Sequence, residues 1–156
     1  MRIALQAAQD AAARGEIPVG AVVRDPADGT ILAVAGNAPV GRHDPTAHAE
    51  VLALRAAAER LGNYRLTGLE LVVTLEPCAM CAGAVSLARI GRLVFAAPDP
   101  KGGGVLHGPK VFEHPTCHWR PQVVGGVLSK ESATLLRSFF RERRTKNPAG
   151  RPGGAS

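Results

Sequence analysis

The spacing of apolar residues changes from segment to segment along the chain, and the changes predict alternating helices and strands. Residues 2–14 are rich in alanine, with apolar positions near helical spacing, and Gly15 ends this segment. Two short β-branched runs follow at 19–24 and 31–35, joined by the turn sequence DPADG at 25–29. The opening of the chain therefore predicts one helix and an antiparallel hairpin.

The middle of the chain alternates helical and strand patterns. Two helices are predicted here, one from about Ala47 to Leu61 with Thr46 as its N-cap, and one from about Ala79 to Ala88. Residues 69–75 (LELVVTL) and 92–96 (RLVFA) are almost continuously apolar, which is typical of strands that are covered on both faces.

The last third of the chain has a different composition. Residues 98–121 are rich in Gly, Pro and His, which predicts a long functional loop with one short helical turn. A short strand is predicted from Gln122, and an amphipathic helix from Glu131 to about Arg144. Residues 147–156 (NPAGRPGGAS) have the composition of a disordered tail. The resulting order, α-β-β-α-β-α-β-loop-β-α, predicts an α/β fold with helices on both faces of a mostly parallel sheet.

Length and composition set the class of protein. With 156 residues the chain suits one domain, which we assign to residues 1–146, and it is long enough to need no disulfides. Three cysteines are a small and odd number, which fits a reducing compartment. Neither a membrane-spanning apolar run nor a signal-peptide pattern is found, so we expect a cytoplasmic protein without membrane contact.

The charge of the chain indicates an anionic partner without proving one. The net charge is +6, and arginine contributes most of it, with 15 Arg against 4 Lys. Arginine is well suited to phosphate, so nucleic acid is one reading. The other reading is a composition that is rich in Arg, Ala, Gly and Pro throughout, and charge alone does not separate the two.

Two short motifs carry the chemistry. His48-Ala49-Glu50 and Pro77-Cys78-Ala79-Met80-Cys81 each stand at the start of a predicted helix, where the carboxyl ends of the strands lie. Cys78 and Cys81, three positions apart, can face one point, and a helix N-terminus favours thiolate. We predict one Zn²⁺ bound by His48, Cys78 and Cys81, with the fourth position left for water and with Glu50 as general acid and base.

A Cys-x-x-Cys pair has other readings. In a reducing compartment it is equally typical of a redox pair and of half of a structural zinc site. A structural site needs a fourth ligand, and Cys117-His118 lacks the usual spacing for one. The combination of His-x-Glu at one helix start with Pro-Cys-x-x-Cys at the next favours the catalytic reading.

The same combination, H-x-E followed by P-C-x-x-C, is the signature of the zinc-dependent nucleobase deaminases. Further stretches make the chain resemble one branch of them, the bacterial tRNA-specific adenosine deaminases. The matching stretches are IPVGAVV (17–23), GRHDPTAHAEVLALR (41–55), NYRL (63–66), TLEPCAMCAGA (74–84), RIGRLVF (89–95) and RSFFRERR (137–144).

This resemblance implies a fold, a reaction and further site residues. It implies a cytidine deaminase-like three-layer α/β/α sandwich around a five-stranded mixed sheet, one Zn²⁺ per subunit and a homodimer. It implies hydrolytic deamination of adenosine to inosine at the wobble position of a tRNA anticodon stem-loop, with Glu50 moving the proton. Residues that match substrate-contacting positions of the family are Asn37 and the backbone of Ala49 at the base, Asp99 and Lys101 along the flipped nucleotide, and Phe140, Arg141 and Arg144 in the terminal helix.

The chain departs from the family between residues 98 and 121, the loop that borders the substrate entrance. This departure keeps a small-molecule purine or pyrimidine deaminase as the alternative, and a noncatalytic zinc-stapled RNA-binding subunit as a third. Two further residues have structural interpretations. Glu76 is predicted to bond backbone near the following helix start, and Trp119 to anchor the loop.

Overall fold

The computed structural model describes residues 1–146, and the predicted disordered tail at 147–156 lies outside the described residues. Strands and helices alternate as the sequence predicts. The elements are α1 (Arg2–Ala13), β1 (Gly20–Arg24), β2 (Ile31–Gly36), α2 (Pro39–Arg42), α3 (Ala49–Leu61), β3 (Glu70–Leu75), α4 (Ala79–Leu87), β4 (Arg92–Ala97), a 3₁₀ turn (Val111–Glu113), β5 (Gln122–Gly125) and α5 (Ser129–Lys146).

The five strands form one mixed sheet in the order β2-β1-β3-β4-β5. The pairs β1–β2 and β1–β3 are antiparallel, whereas β3–β4 and β4–β5 are parallel. This arrangement confirms the predicted hairpin and the predicted five-stranded mixed sheet. Because β1 runs against its neighbours, the carboxyl ends of β2, β3 and β4 meet at one edge of the sheet.

Helices cover both faces of this sheet, so the molecule has three layers. The larger core lies on the α3 and α4 side, where alternate strand residues such as Leu71, Val73, Leu93 and Phe95 pack together. The intervening strand residues, such as Val72, face α1 and form a smaller core. Two buried faces explain why β3 and β4 have continuous apolar runs.

Helix α1 packs very closely against the sheet because its inner positions are small. Ala4, Ala8 and Ala11 are fully buried. A Cβ atom at Gly20 in β1 would overlap the backbone of Ala4 and come within 2.6 Å of the amide nitrogen of Ala8. The alanine-rich pattern of α1 therefore sets the distance between this helix and the sheet.

Three local predictions need correction. Helix α3 begins at Ala49 with His48 at the N-cap position, and not at Ala47 with Thr46 as cap. Thr46 instead donates both its backbone N–H and its hydroxyl to Asp44. Helix α5 is longer than predicted, and the short helix α2 was not predicted at all.

Among residues 1–146, no helix combines the length and the apolar character that crossing a membrane requires.

Candidate metal centre and active site

The three predicted metal ligands converge at the carboxyl edge of the sheet. His48 occupies the N-cap position of α3 and Cys78 that of α4, shortly after β3 ends, and Cys81 lies one turn further along α4. The Nδ1 atom of His48 lies 3.7 Å from Sγ of Cys78 and 3.5 Å from Sγ of Cys81. All three ligand atoms are within 4.8 Å of one another, and no other such cluster exists among the described residues.

These distances fit a tetrahedral zinc ion. Zn–S bonds of about 2.3 Å and Zn–N bonds of about 2.0–2.1 Å at tetrahedral angles place sulfur and nitrogen ligands about 3.6 Å apart. The observed nitrogen–sulfur separations of 3.5 and 3.7 Å match that edge length. Three protein ligands of mixed N and S type leave one position open, which is typical of catalytic zinc.

The electrostatics of the cysteine pair also suit a cation. Hydrogen bonds from Cys81 and His48 lower the pKa of Cys78 to about 4. Its bond with Cys78, together with burial, raises the pKa of Cys81. The two cysteines thus share one negative charge beside His48. Binding of a divalent cation would release the proton of the remaining thiol.

Glu50 lies on the first turn of α3, beside the metal ligands. Its side chain is buried, and burial raises its pKa to about 7. A carboxyl group with this pKa exchanges a proton easily at neutral pH, which is the property of a general acid and base. Glu50 is not one of the three clustered ligands, which are His48, Cys78 and Cys81.

Asn37 fixes the start of α3. It follows the last residue of β2, and its Oδ1 atom accepts the N–H of Ala49 at 2.8 Å in a buried hydrogen bond. Asn37 therefore provides the acceptor for an N–H group at the start of α3, the capping role that was predicted for Thr46. The two positions that the resemblance assigns to base binding, Asn37 and the Ala49 backbone, are bonded to each other here.

A cavity of about 310 Å³ opens onto the cluster. Ile17, Pro39 and Val40 form an apolar part of its wall. The carboxylate of Glu16 accepts the N–H groups of Val40 and Gly41 and so holds α2 in place. This volume and its apolar and polar lining suit a single base. The lining residues are Glu16, Ile17, Val19, Asn37, Pro39, Val40, His48, Glu50, Leu75, Glu76, Cys78, Asp99, Gly102 and Arg143.

The other predicted contact residues are distributed less evenly around this cavity. Asp99 lines it, whereas Lys101 is exposed and does not. On α5, Phe140, Arg141 and Arg144 are exposed and outside the cavity wall. Arg143 reaches the wall instead, with its guanidinium 5.3 Å from the ring centre of Phe139.

Arg143 and Glu16 line the cavity but were not among the predicted site residues. A signal existed for Arg143, because Leu135, Phe139 and Arg143 are four residues apart and share one helix face. No comparable signal marked Glu16, whose role depends on the unpredicted helix α2. The short length of α2, four residues, leaves too little periodicity to detect.

The prediction for Glu76 was partly wrong. Its carboxylate bonds backbone, but the donors belong to the loop after β4 and not to the start of α4. Burial alone would raise the pKa of Glu76, but these donors and His107 outweigh it and hold the pKa at about 2. Trp119 anchors the loop as predicted, because its indole N–H donates to the carbonyl of Ile90 at 2.7 Å.

This site, at one edge of a three-layer sandwich, is that of a zinc-dependent hydrolytic deaminase. Comparison with known proteins agrees. Residues 1–97 match the family model described as the cytidine and deoxycytidylate deaminase zinc-binding region. The chain is 51% identical over 144 residues to a tRNA-specific adenosine deaminase of Agrobacterium fabrum, covering 92% of this chain and 93% of the relative.

Solved structures give the same result. One from a study of A-to-I editing by tRNA:A34 deaminases superposes with a TM-score of 0.85 at 49% identity, covering 87% of this chain and 97% of the other. A guanine deaminase from Nitrosomonas europaea superposes with a TM-score of 0.77 at 26% identity, covering 88% and 81%. The chain belongs to the family of tRNA-specific adenosine deaminases, within the zinc-binding cytidine and deoxycytidylate deaminases.

Proposed function

We propose that the protein converts adenosine to inosine at the wobble position of a tRNA anticodon by zinc-dependent hydrolysis. The observation that carries the proposal is the buried Glu50 beside a three-ligand His-Cys-Cys cluster, at the end of a base-sized cavity. The net charge of +6 suits an RNA substrate better than a free neutral base.

The residues of the site divide the chemistry between them. His48, Cys78 and Cys81 hold the zinc ion, which when bound lowers the pKa of water from about 15.7 to about 7. Glu50 takes one proton of the attacking water and delivers it to ring N1 of adenine, where it remains in inosine. Glu50 then carries a second proton, from the hydroxyl group added at C6, to the amino group, which leaves as ammonia. Burial raises the pKa of Glu50 to about 7, so at neutral pH this carboxyl group can both accept and donate a proton.

Residues around the cluster hold the base and its nucleotide. The apolar side chains of Ile17, Val19 and Val40 flank the cavity and exclude water from the reacting face of the base. The side-chain amide of Asn37 lies at its wall, and Asp99 lies at its rim, where a ribose hydroxyl of RNA would be recognised. Arg143 adds the positive charge that a phosphate beside the cavity requires.

A substrate panel tests the proposed function. Zinc-loaded protein is incubated with a tRNA that carries adenosine at the wobble position, and inosine is detected as an A-to-G change on sequencing. We expect conversion at that position, and none of free guanine, cytosine or adenosine. Turnover of a free base with no change in intact tRNA would assign the protein to the small-molecule deaminases instead.

A second copy of the chain is the partner that the outer face of α3 and α4 fits. A shallow apolar depression lies there, and two of its lining residues, Tyr64 and Leu87, are 67% and 78% exposed. Exposed apolar residues clustered on one face are typical of an interface. We expect a homodimer in sedimentation, converted to monomer by Leu87→Lys but not by Ile3→Lys, which changes an exposed apolar residue on α1. We also propose a cytoplasmic location for the enzyme, which its proposed tRNA substrate supports.

A further inference from the structure

The carboxylate of Glu76 is a hub for the loop that follows β4. It is almost fully buried, with 2% of the residue exposed. Oε1 accepts the N–H groups of Val105, Leu106 and His107 at 3.2, 2.8 and 3.0 Å. Oε2 accepts the N–H of Asp99 at 2.9 Å and lies 2.7 Å from Nδ1 of His107. Four backbone groups from the two ends of one loop thus share a single side chain.

The loop is wrapped around this carboxylate without spare room. A Cβ atom added at Gly103 would lie 2.6 Å from Oε1 of Glu76 and 2.5 Å from the carbonyl oxygen of Asp99. The next residue, Gly104, donates its N–H to the carbonyl of Pro77 at 2.8 Å, which ties the loop to the start of α4. The glycine at position 103 is therefore required by the close approach of the loop to Glu76.

The same loop forms part of the cavity wall. Asp99 and Gly102 line the cavity next to the metal ligands, and Oδ1 of Asp99 accepts the N–H groups of Lys101 and Gly102. Glu76 cannot itself act as an acid or base, because both its oxygens are occupied by donors from the loop. Its influence on the reaction must pass through the loop that it holds.

We propose that Glu76 is a positioning residue that fixes the Asp99–His107 loop as one wall of the substrate cavity. It acts on the binding of the nucleotide rather than on the metal or the proton transfer. This proposal rests on the proposed function for its substrate, and it gives the glycine-rich loop after β4 a role in binding that substrate.

Steady-state kinetics on the tRNA substrate test the proposal. Glu76→Gln keeps the size of the side chain but replaces one acceptor oxygen by an NH₂ group, which faces donors. We expect KM to rise about tenfold, with kcat within about threefold of the wild type and one zinc per chain retained. Glu76→Asp keeps the charge and should restore part of the affinity. Glu70→Gln, at the buried glutamate on which β3 begins, is the matched control and should leave KM unchanged.

A glycine pair supplies an independent arm. Gly103→Ala should raise KM in the same direction because the added methyl group displaces the loop from Glu76. Gly83→Ala in α4 is its control, since a Cβ atom there meets nothing within 4 Å. An unchanged KM in Glu76→Gln, or a fall in kcat or zinc content at constant KM, would overturn the proposal.

Amide hydrogen exchange separates this proposal from the proposed function. Exchange at Asp99 and at residues 105–107 should accelerate in Glu76→Gln and not in Glu70→Gln, with or without substrate. A wild-type protein that forms no inosine would refute the proposed function alone, and the exchange data would still decide whether Glu76 fixes the loop. Unchanged exchange in Glu76→Gln refutes the positioning role.

Discussion

Strand β3 carries one buried glutamate at its first residue and another just beyond its last. At the amino end, Glu70 lies between two arginines, with Nε of Arg24 at 2.6 Å and a terminal nitrogen of Arg92 at 3.2 Å. At the carboxyl end, Glu76 accepts backbone N–H groups and pairs with His107. Both side chains are almost fully buried, so both charges need partners.

The partners show what each end of the strand does. Arg24 and Arg92 belong to the two strands that flank β3, so Glu70 joins three strands of a fixed framework. The partners of Glu76 belong to a loop that borders the cavity. Glu50, at the same edge, has no arginine or lysine within salt-bridge distance among the described residues, and its pKa rises to about 7. Buried glutamates that hold the fold together thus have charged or hydrogen-bonding partners. Glu50 lacks a cationic partner of this kind, so its carboxyl group can gain or lose a proton near neutral pH.

Removal of zinc should have the largest effect, and it should be confined to the carboxyl end of β3. Treatment with a strong chelator should abolish deamination and make Cys78 and Cys81 reactive to a thiol reagent, because zinc ligation protects both thiols. Readdition of zinc should restore both properties. A disulfide between Cys78 and Cys81 in protein isolated under reducing conditions would contradict the metal assignment.

Glu50→Gln should lower kcat by roughly 10³-fold, since the change removes the proposed proton carrier but keeps the shape of the side chain. Metal analysis should still find one zinc per chain, and the melting temperature should not fall. Unimpaired turnover in this variant would show that another group moves the proton.

Acid should reduce the contribution of Glu76 to the stability of the folded protein. Its folded-state pKa of about 2 lies below the ordinary value of 4.5, so its contribution to stability is complete above pH 4.5 and declines as the pH falls towards 2. The difference in the free energy of unfolding between metal-free wild type and metal-free Glu76→Gln should shrink by about 2 kcal/mol from pH 7 to pH 3. Urea denaturation measures it, and a difference that does not change with pH would contradict the assigned ionisation.

Glu70→Gln should destabilise the protein by about 1–2 kcal/mol and leave kcat and KM for each folded molecule unchanged. The effect is moderate because the Arg24 and Arg92 side chains are 43% exposed and can be solvated without their partner. Urea denaturation at pH 7 measures the loss, and the kinetics supply the contrast with Glu76. A change in KM here would erase the distinction between the two ends of β3.

The sequence was sufficient for the parts of the fold that depend on local pattern. Apolar runs located β3 and β4, and the spacing of His48, Cys78 and Cys81 indicated the metal centre, because ligands at the starts of neighbouring helices converge at one sheet edge. The mixed direction of the strands also followed, because an antiparallel hairpin precedes alternating helices and strands, whereas the order of the strands in the sheet was not predicted.

Long-range capping and loop contacts were not predictable in the same way. Asn37 caps α3 from twelve residues away, and Glu76 receives donors from 23 to 31 residues further along the chain. Such bonds leave no periodicity, since they depend on which segments the sheet brings together. Arg143 lies between these cases, because helical spacing puts it on the same face as Phe139 but does not show that Arg143 reaches the cavity.

The most direct test of the account is a zinc titration of the metal-free protein, with inosine at the wobble position of tRNA as the readout. We predict that the rate of inosine formation rises linearly to one zinc per chain and then stays constant, and that Glu50→Gln binds the same single zinc without forming inosine. Full activity in metal-free protein, or zinc binding that produces no inosine in the wild type, would contradict the account.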